Sequence, residues 1–193
     1  MQINDRIILT NTTGNTDLGP DSVIELLFRT YFAPLCKFVN KMVHDQALAE
    51  DIIQETFIRI WNSRENLDTT KSIKSYLYKI AYNYTLNHLE KQKNFTMHDY
   101  SEVDKKYQSA HADEQIINHE LQHKAAEALN SLPVKCRAVF IMCRHENMTY
   151  QEVADAMEIS VKTVENQMGK ALKSLRQQLS PYFEVISLIL FLN

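Results

Sequence analysis

Residues 148–179 read MTYQEVADAMEISVKTVENQMGKALKSLRQQL, a spacing that admits little besides two helices joined by a tight turn. Thr149 followed by Glu152 is a capping-box start: the hydroxyl accepts from an orphan amide while the carboxylate reaches back. Val153, Ala154 and Met157 then fall on one helical face, with Ile159 placed to plug the turn. Ser160 can cap the second helix, where Val161, Val164, Met168, Leu172 and Leu175 form an apolar stripe. Between them stand Lys162, Thr163, Glu165, Asn166, Gln167, Lys170, Lys173 and Arg176. Such a helix can pack on one side and enter a major groove on the other, with cations for phosphates and amides or a carboxylate for base edges. An ordinary helical hairpin with a solvated charged face carries the same pattern, so this stretch alone leaves both readings open.

The remainder of the chain reads as helix too. With three glycines and four prolines in 193 residues, and long runs at helical spacing, the fold class expected is all-α. The length allows one large or two small domains with real cores. The formal net charge of −3 provides no global field toward nucleic acid, but charge is segregated. Lys71, Lys74, Lys79, Lys91 and Lys93 oppose only Glu90 in one segment, whereas Asp99, Glu102, Asp104, Asp113 and Glu114 cluster further on. A chain of this kind should bind nucleic acid weakly alone and better when something else holds it there. Cys36, Cys136 and Cys143 sit inside apolar patterns and read as reduced, buried thiols. No CxxC spacing joins Cys136, Cys143 and His145 into a metal site, so neither metal nor cofactor is expected.

The first 20 residues are polar and read as a flexible arm, without the basic and apolar runs of a signal peptide. Pro20, Asp21 and Ser22 open a helix with an apolar face from Ile24 to Met42, which Pro34 should bend or divide. Asp45 can cap the next helix, in which Leu48, Ala49, Ile52, Ile53, Phe57, Ile60 and Trp61 make the buried stripe. Asp51, Gln54, Glu55, Ile58 and Asn62 line its opposite side, a decoration suited to docking a basic partner helix. Ser72 or Thr70 can start the following helix, with Ile73, Leu77, Ile80, Ala81 and Tyr84 toward the core. Tyr76, Tyr78, Tyr82, Asn83 and Asn87 interleave with lysines there; rings stack on melted bases, cations hold phosphates and amides read exposed edges. Residues 94–113 lose periodicity and turn acidic, as an interdomain linker would. Helical pattern returns from Glu114, with a boundary at Pro133, and residues 181–193 form a very apolar tail. That tail is far below the ~20 residues of a membrane-spanning helix, and is expected to pack on its own domain or on a partner.

Taken together, these segments resemble a bacterial sigma factor of the extracytoplasmic-function (ECF) type within the sigma-70 family. AEDIIQETFIRIW and SYLYKIAYNYTLNHL are similar to the family's region two, and LNSLPVKCRAVFIMCRHENMTYQEVADAMEISVKTVENQMGKALKSLR to its region four. The ENQMGKALK wording resembles the version common in Bacteroidetes-type bacteria. The resemblance implies region two over 21–93, region four over 114–180 and a short acidic linker between them. It implies a protein that binds core RNA polymerase, through the clamp helices of the β′ subunit and the β flap, and helps open promoter DNA. Carried over by position, Asp51, Gln54, Glu55 and Ile58 would face the clamp helices. Asp68, Thr70 and Ser72, with Tyr76, Lys79, Asn83 and Asn87, would meet the −10 element, where a flipped base could sit in a loop pocket. Lys162, Thr163, Glu165, Asn166, Lys170 and Lys173 would face the −35 duplex. Glu165 stands where many members carry a base, and Gly169 where a bulkier residue is common. A membrane-tethered anti-sigma partner, cytoplasmic location and absence of a small-molecule substrate are also implied.

Two other classes fit less of the chain. A repressor or response-regulator output would use the helix–turn–helix but leave the acidic docking helix unexplained. A helical nuclease or hydrolase could use Asp51 and Glu55 as metal ligands, yet no second acidic pair completes a site. No triad, HExxH or phosphate-binding glycine loop is present, so no enzymatic activity is expected. The two domains are expected to clamp together when free and to spread on polymerase.

Overall fold

The computed structural model describes residues 20–64, 72–96 and 116–192. The arm up to residue 19, the loop with Asp68 and Thr70, and residues 97–113 of the acidic linker lie outside them; residues 94–96, expected in that linker, continue the preceding helix. The described residues form seven helices and no strand. They are α1 (Pro20–Val43), α2 (Gln46–Asn62), α3 (Ile73–Thr96), α4 (Ile116–Asn130), α5 (Val134–Arg144), α6 (Tyr150–Met157) and α7 (Val161–Leu192).

Short-range chemistry sets most boundaries. Asp45 caps α2 by accepting from the Leu48 amide at 3.1 Å. The hydroxyl of Ser72 accepts from the Ser75 amide at 3.2 Å and starts α3. At α6 the capping box closes in both directions: Glu152 N donates to Thr149 Oγ1 at 3.2 Å, and Thr149 N to Glu152 Oε2 at 2.8 Å. Ser160 caps α7 through the Thr163 amide at 3.1 Å. The turn between α6 and α7 is made by Glu158, left-handed at φ 55°, which lets the Ile159 amide reach back to the Ala154 carbonyl at 3.0 Å.

Both internal prolines are absorbed. Helix α1 runs unbroken across Pro34 rather than dividing there. Helix α7 continues through Pro181 to Leu192, so its last turns take in the apolar tail. Proline lacks the amide that the Gln177 carbonyl would accept from, and the Ser180 hydroxyl donates to that carbonyl instead, at 3.1 Å.

Helices α1, α2 and α3 pack on one another, as do α4 to α7. The two groups also meet: α3 lies against α6, and α1 against α5. One apolar cluster therefore runs through both, from Leu35, Phe38, Ile53 and Leu77 to Val139, Met142 and Val153. Burying a continuous apolar surface is what holds two such small bundles in one body.

The structure corrects the expected stripes at several positions. Trp61 is 42 % exposed, and its place in the α2 core is taken by Thr56, whose buried hydroxyl donates to the Ile52 carbonyl at 2.8 Å. On α7, Leu172 is 40 % exposed and Ala171 is buried instead, since 164, 168, 171 and 175 keep helical register. Tyr78 and Tyr82 are core residues, because α3 is covered on the side they occupy.

Candidate nucleic-acid interface

Three surfaces hold the residues singled out above. On α2, Asp51, Gln54, Glu55 and Ile58 are all exposed, and they follow one face at steps of three and four. Ile58 is 61 % exposed, the most of any large hydrophobic side chain whose exposure is described. An apolar side chain held in water beside carboxylates costs nothing in packing and gains only when a partner covers it. Nearby, Phe28 stacks edge-on to Phe57 at 5.0 Å, and the Arg64 guanidinium lies 4.8 Å from the Trp61 ring while pairing with Asp21 at 2.9 Å.

The second surface is on α3. Asn83 and Asn87 are exposed, while Ser72, Tyr76 and Lys79 are half-buried. Lys79 pairs with Glu158 at 2.9 Å, and the Ser72 hydroxyl donates to Glu152 at 3.5 Å. Tyr78 and Tyr82, which the sequence interleaves with them and which could have stacked on bases, are buried in the bundle instead. Burial pushes the Tyr82 hydroxyl up to about 12, and burial together with Glu146 raises that of Tyr78 further. The structure thus unites five of the seven proposed −10 residues on one helix and its cap; Asp68 and Thr70 lie outside the described residues.

The third surface is the start of α7. Lys162, Glu165, Asn166, Lys170 and Lys173 are exposed and Thr163 is half-buried. Glu165 pairs with Lys162 at 2.8 Å, which raises the lysine further above its ordinary value. The carboxylate thus spends its charge on a neighbouring cation instead of standing bare toward phosphate. Thr163 is shared with the helix cap, its hydroxyl 2.8 Å from that of Ser160. A Cβ added to Gly169 would meet nothing within 4 Å, so none of the described residues demands glycine there.

Sequence reasoning missed Arg137. It is 6 % exposed, and its Nη1 donates to the Lys41 carbonyl at 3.0 Å and His44 Nε2 at 2.7 Å. Its Nη2 donates to the carbonyls of Asn130 and Leu132 at 2.6 and 3.0 Å. One guanidinium thereby ties the end of α1 to the α4–α5 turn. An arginine inside the apolar run VKCRAVFIMCR was the available signal. The cysteines are free; Cys36 and Cys136 are buried, and burial followed by Glu50 pushes the Cys36 thiol up to about 11. Among the described residues no three His, Cys, Asp or Glu side chains are grouped to hold a metal, and no helix is long and apolar enough to cross a membrane.

The chain matches the Sigma-70 region 2 family over residues 27–95 and the Sigma-70 region 4 family over residues 122–175, spans that together exceed half its length. It belongs to the sigma-70 family, among the ECF sigma factors. It is 29 % identical over 164 residues to the ECF RNA polymerase sigma factor SigX of Bacillus subtilis, covering 82 % of this chain and 84 % of the relative. Similarity to SigW of the same organism is 26 % over 79 % of this chain and 85 % of SigW. The RNA polymerase sigma-H factor of Pseudomonas aeruginosa is 24 % identical over 84 % of this chain and 89 % of that protein. In fold it is similar to the sigma factor RpoE of Bartonella quintana, solved with the anti-sigma factor NepR, at TM-score 0.66 and 16 % identity, covering 81 % and 96 % of the two chains. CnrH, solved with the cytosolic domain of CnrY, gives TM-score 0.62 and 17 % identity over 93 % and 99 %. This sigma factor is an alternative one, serving transcription initiation rather than acting as a free-standing repressor.

Proposed function

We propose that the sigma factor docks on core RNA polymerase through α2 and reads two promoter elements with α3 and α7. Asp51, Gln54, Glu55 and Ile58 face the β′ clamp helices: carboxylates and amide meet basic groups while Ile58 loses its contact with water. Ser72, Tyr76, Lys79, Asn83 and Asn87, with Asp68 and Thr70 of the preceding loop, hold the melted −10 strand. Lys162, Thr163, Glu165, Asn166, Lys170 and Lys173 face the −35 duplex, with the surrounding unit on the β flap. Region two spans 21–93 and region four 114–180, joined by the acidic stretch.

The observation that carries this reading is the exposed apolar and acidic face of α2 in the same chain as an exposed basic recognition helix. The protein works in the cytoplasm, without enzymatic activity or small-molecule substrate. A membrane-tethered anti-sigma factor restrains it, a proposal supported by one fold neighbour having been solved with an anti-sigma factor and another with the cytosolic domain of CnrY. The ENQMGKALK wording supports a Bacteroidetes-type placement. Adding the pure chain to sigma-free core polymerase with a randomised promoter library tests the function. Transcripts sharing paired −35 and −10 sequences are expected; none would overturn the proposal.

A further inference from the structure

The start of α7 carries an acid and a base side by side. Ser160 caps the helix through the Thr163 amide, and Val164, Met168 and Ala171 turn one side of it into the core. Lys162, Glu165, Asn166 and Gly169 are left on the outer side, all of them exposed. Lys162 Nζ donates to Glu165 Oε2 at 2.8 Å, with the two side chains 77 % and 45 % exposed. A pair so exposed adds little to folding. What it fixes is an order of groups: an acceptor beside a donor, 2.8 Å apart, on the end of the helix that a helix–turn–helix presents to a major groove. Gly169, one turn after Glu165, carries no side chain to crowd the pair, and a Cβ there would meet nothing within 4 Å.

Major-groove chemistry narrows what such a pair can meet. A carboxylate only accepts, and an ammonium only donates. Guanine N7 and O6 and thymine O4 are acceptors that repel a carboxylate, which leaves the amino groups of cytosine and adenine. The adenine amino group lies between two acceptors, its own N7 and the thymine O4, so a carboxylate there is opposed on both sides. That of cytosine ends the polar edge of its base pair, with guanine O6 on one side alone, joined to it by a hydrogen bond of about 2.9 Å. Donor beside acceptor on the base pair is the complement of acceptor beside donor on the helix. We propose that Glu165 and Lys162 together read one C·G pair of the −35 element, the carboxylate accepting from cytosine N4 and the ammonium donating to guanine O6 and N7. This rests on the −35 assignment made above and goes beyond it in naming a base pair and the two side chains that choose it. An acid can enter a groove lined by phosphates because the neighbouring cation offsets its charge.

The test sequences the templates that the full chain, with core polymerase, transcribes from a promoter library randomised across the upstream element. The parent is expected to enrich a C·G pair at one position. Glu165→Ala removes an exposed side chain and should reduce that preference about tenfold, leaving the other letters of the element as they were. Lys162→Ala should weaken the preference at the same position. Glu165→Gln sets a donor beside the acceptor and should move the preference from cytosine toward adenine. An upstream profile unchanged by Glu165→Ala would overturn the inference. So would a Lys162→Ala profile altered at no position, since that lysine would then touch phosphate alone. A parent that transcribes while enriching no upstream sequence would fault the −35 assignment itself, and the inference with it.

Discussion

The hydroxyl of Tyr78 donates to Oε2 of Glu146 at 2.5 Å, tying the second turn of α3 to the turn between α5 and α6 across 68 positions of sequence. The ring is fully buried against Phe38, with centroids 5.2 Å apart, so the side chain serves the core and this tie at once. Tyr78→Phe keeps the ring and removes the donor. A hydrogen bond to a charged acceptor contributes about 1.5–3 kcal/mol, and because half-buried Glu146 can recover water the expected loss is about 1–2 kcal/mol. Urea denaturation reads it, and an unchanged midpoint would remove the contact from the account.

On α2, Asp51→Lys with Glu55→Lys is expected to abolish association with core polymerase. Both carboxylates are exposed, so the folding stability should stay within about 0.5 kcal/mol of the parent. Co-elution of the double variant with core polymerase would refute the docking face.

Lys170→Ala is expected to weaken binding of the −35 duplex and to make the logarithmic salt slope less negative by about 0.9, one phosphate's share. Titrations at several salt concentrations measure it. An unaltered slope would take Lys170 out of the interface.

Gly169→Ala separates packing from recognition. The added methyl meets open space within the chain, so the helix should gain about 1 kcal/mol of propensity. If DNA approaches that face closely, duplex binding should weaken in the same protein. A variant that is more stable and binds equally well would show that Gly169 is merely tolerated.

Local signals were legible and distant ones were not. Asp45, Ser72, Thr149 with Glu152, and Ser160 act within three residues, so their spacing alone predicts their bonds. The exposed face of α2 was likewise readable from helical period. The burial of Tyr78 depends on Phe38 and Glu146, both distant in sequence, and period within α3 carries no trace of them. Arg137 was invisible as a staple because its acceptors are backbone carbonyls and a histidine ring, none with a sequence signature. At Pro34 the expected bend or division did not follow, and α1 runs unbroken across it.

Acid should loosen the fold. Burial, then the Lys41 cation 3.3 Å from Nδ1, hold His145 below its ordinary value of 6.5, with Glu146 opposing. The unfolded chain therefore binds the proton more readily, so stability is full above that value and falls as pH drops through it toward the folded one. Urea midpoints at about pH 7.5 and about pH 5.5 should differ, and His145→Gln should shrink the difference. An equal drop in that variant would assign the effect elsewhere.

Neither half of this sigma factor is expected to find a promoter unaided; polymerase supplies the grip. Binding of the purified chain to a promoter selected from the library, at cellular salt, with and without core polymerase, measures this. Weak, sequence-indifferent binding is expected from the chain alone and tight, specific binding from the complex. Tight, specific binding by the isolated chain, unchanged when polymerase is added, would contradict it.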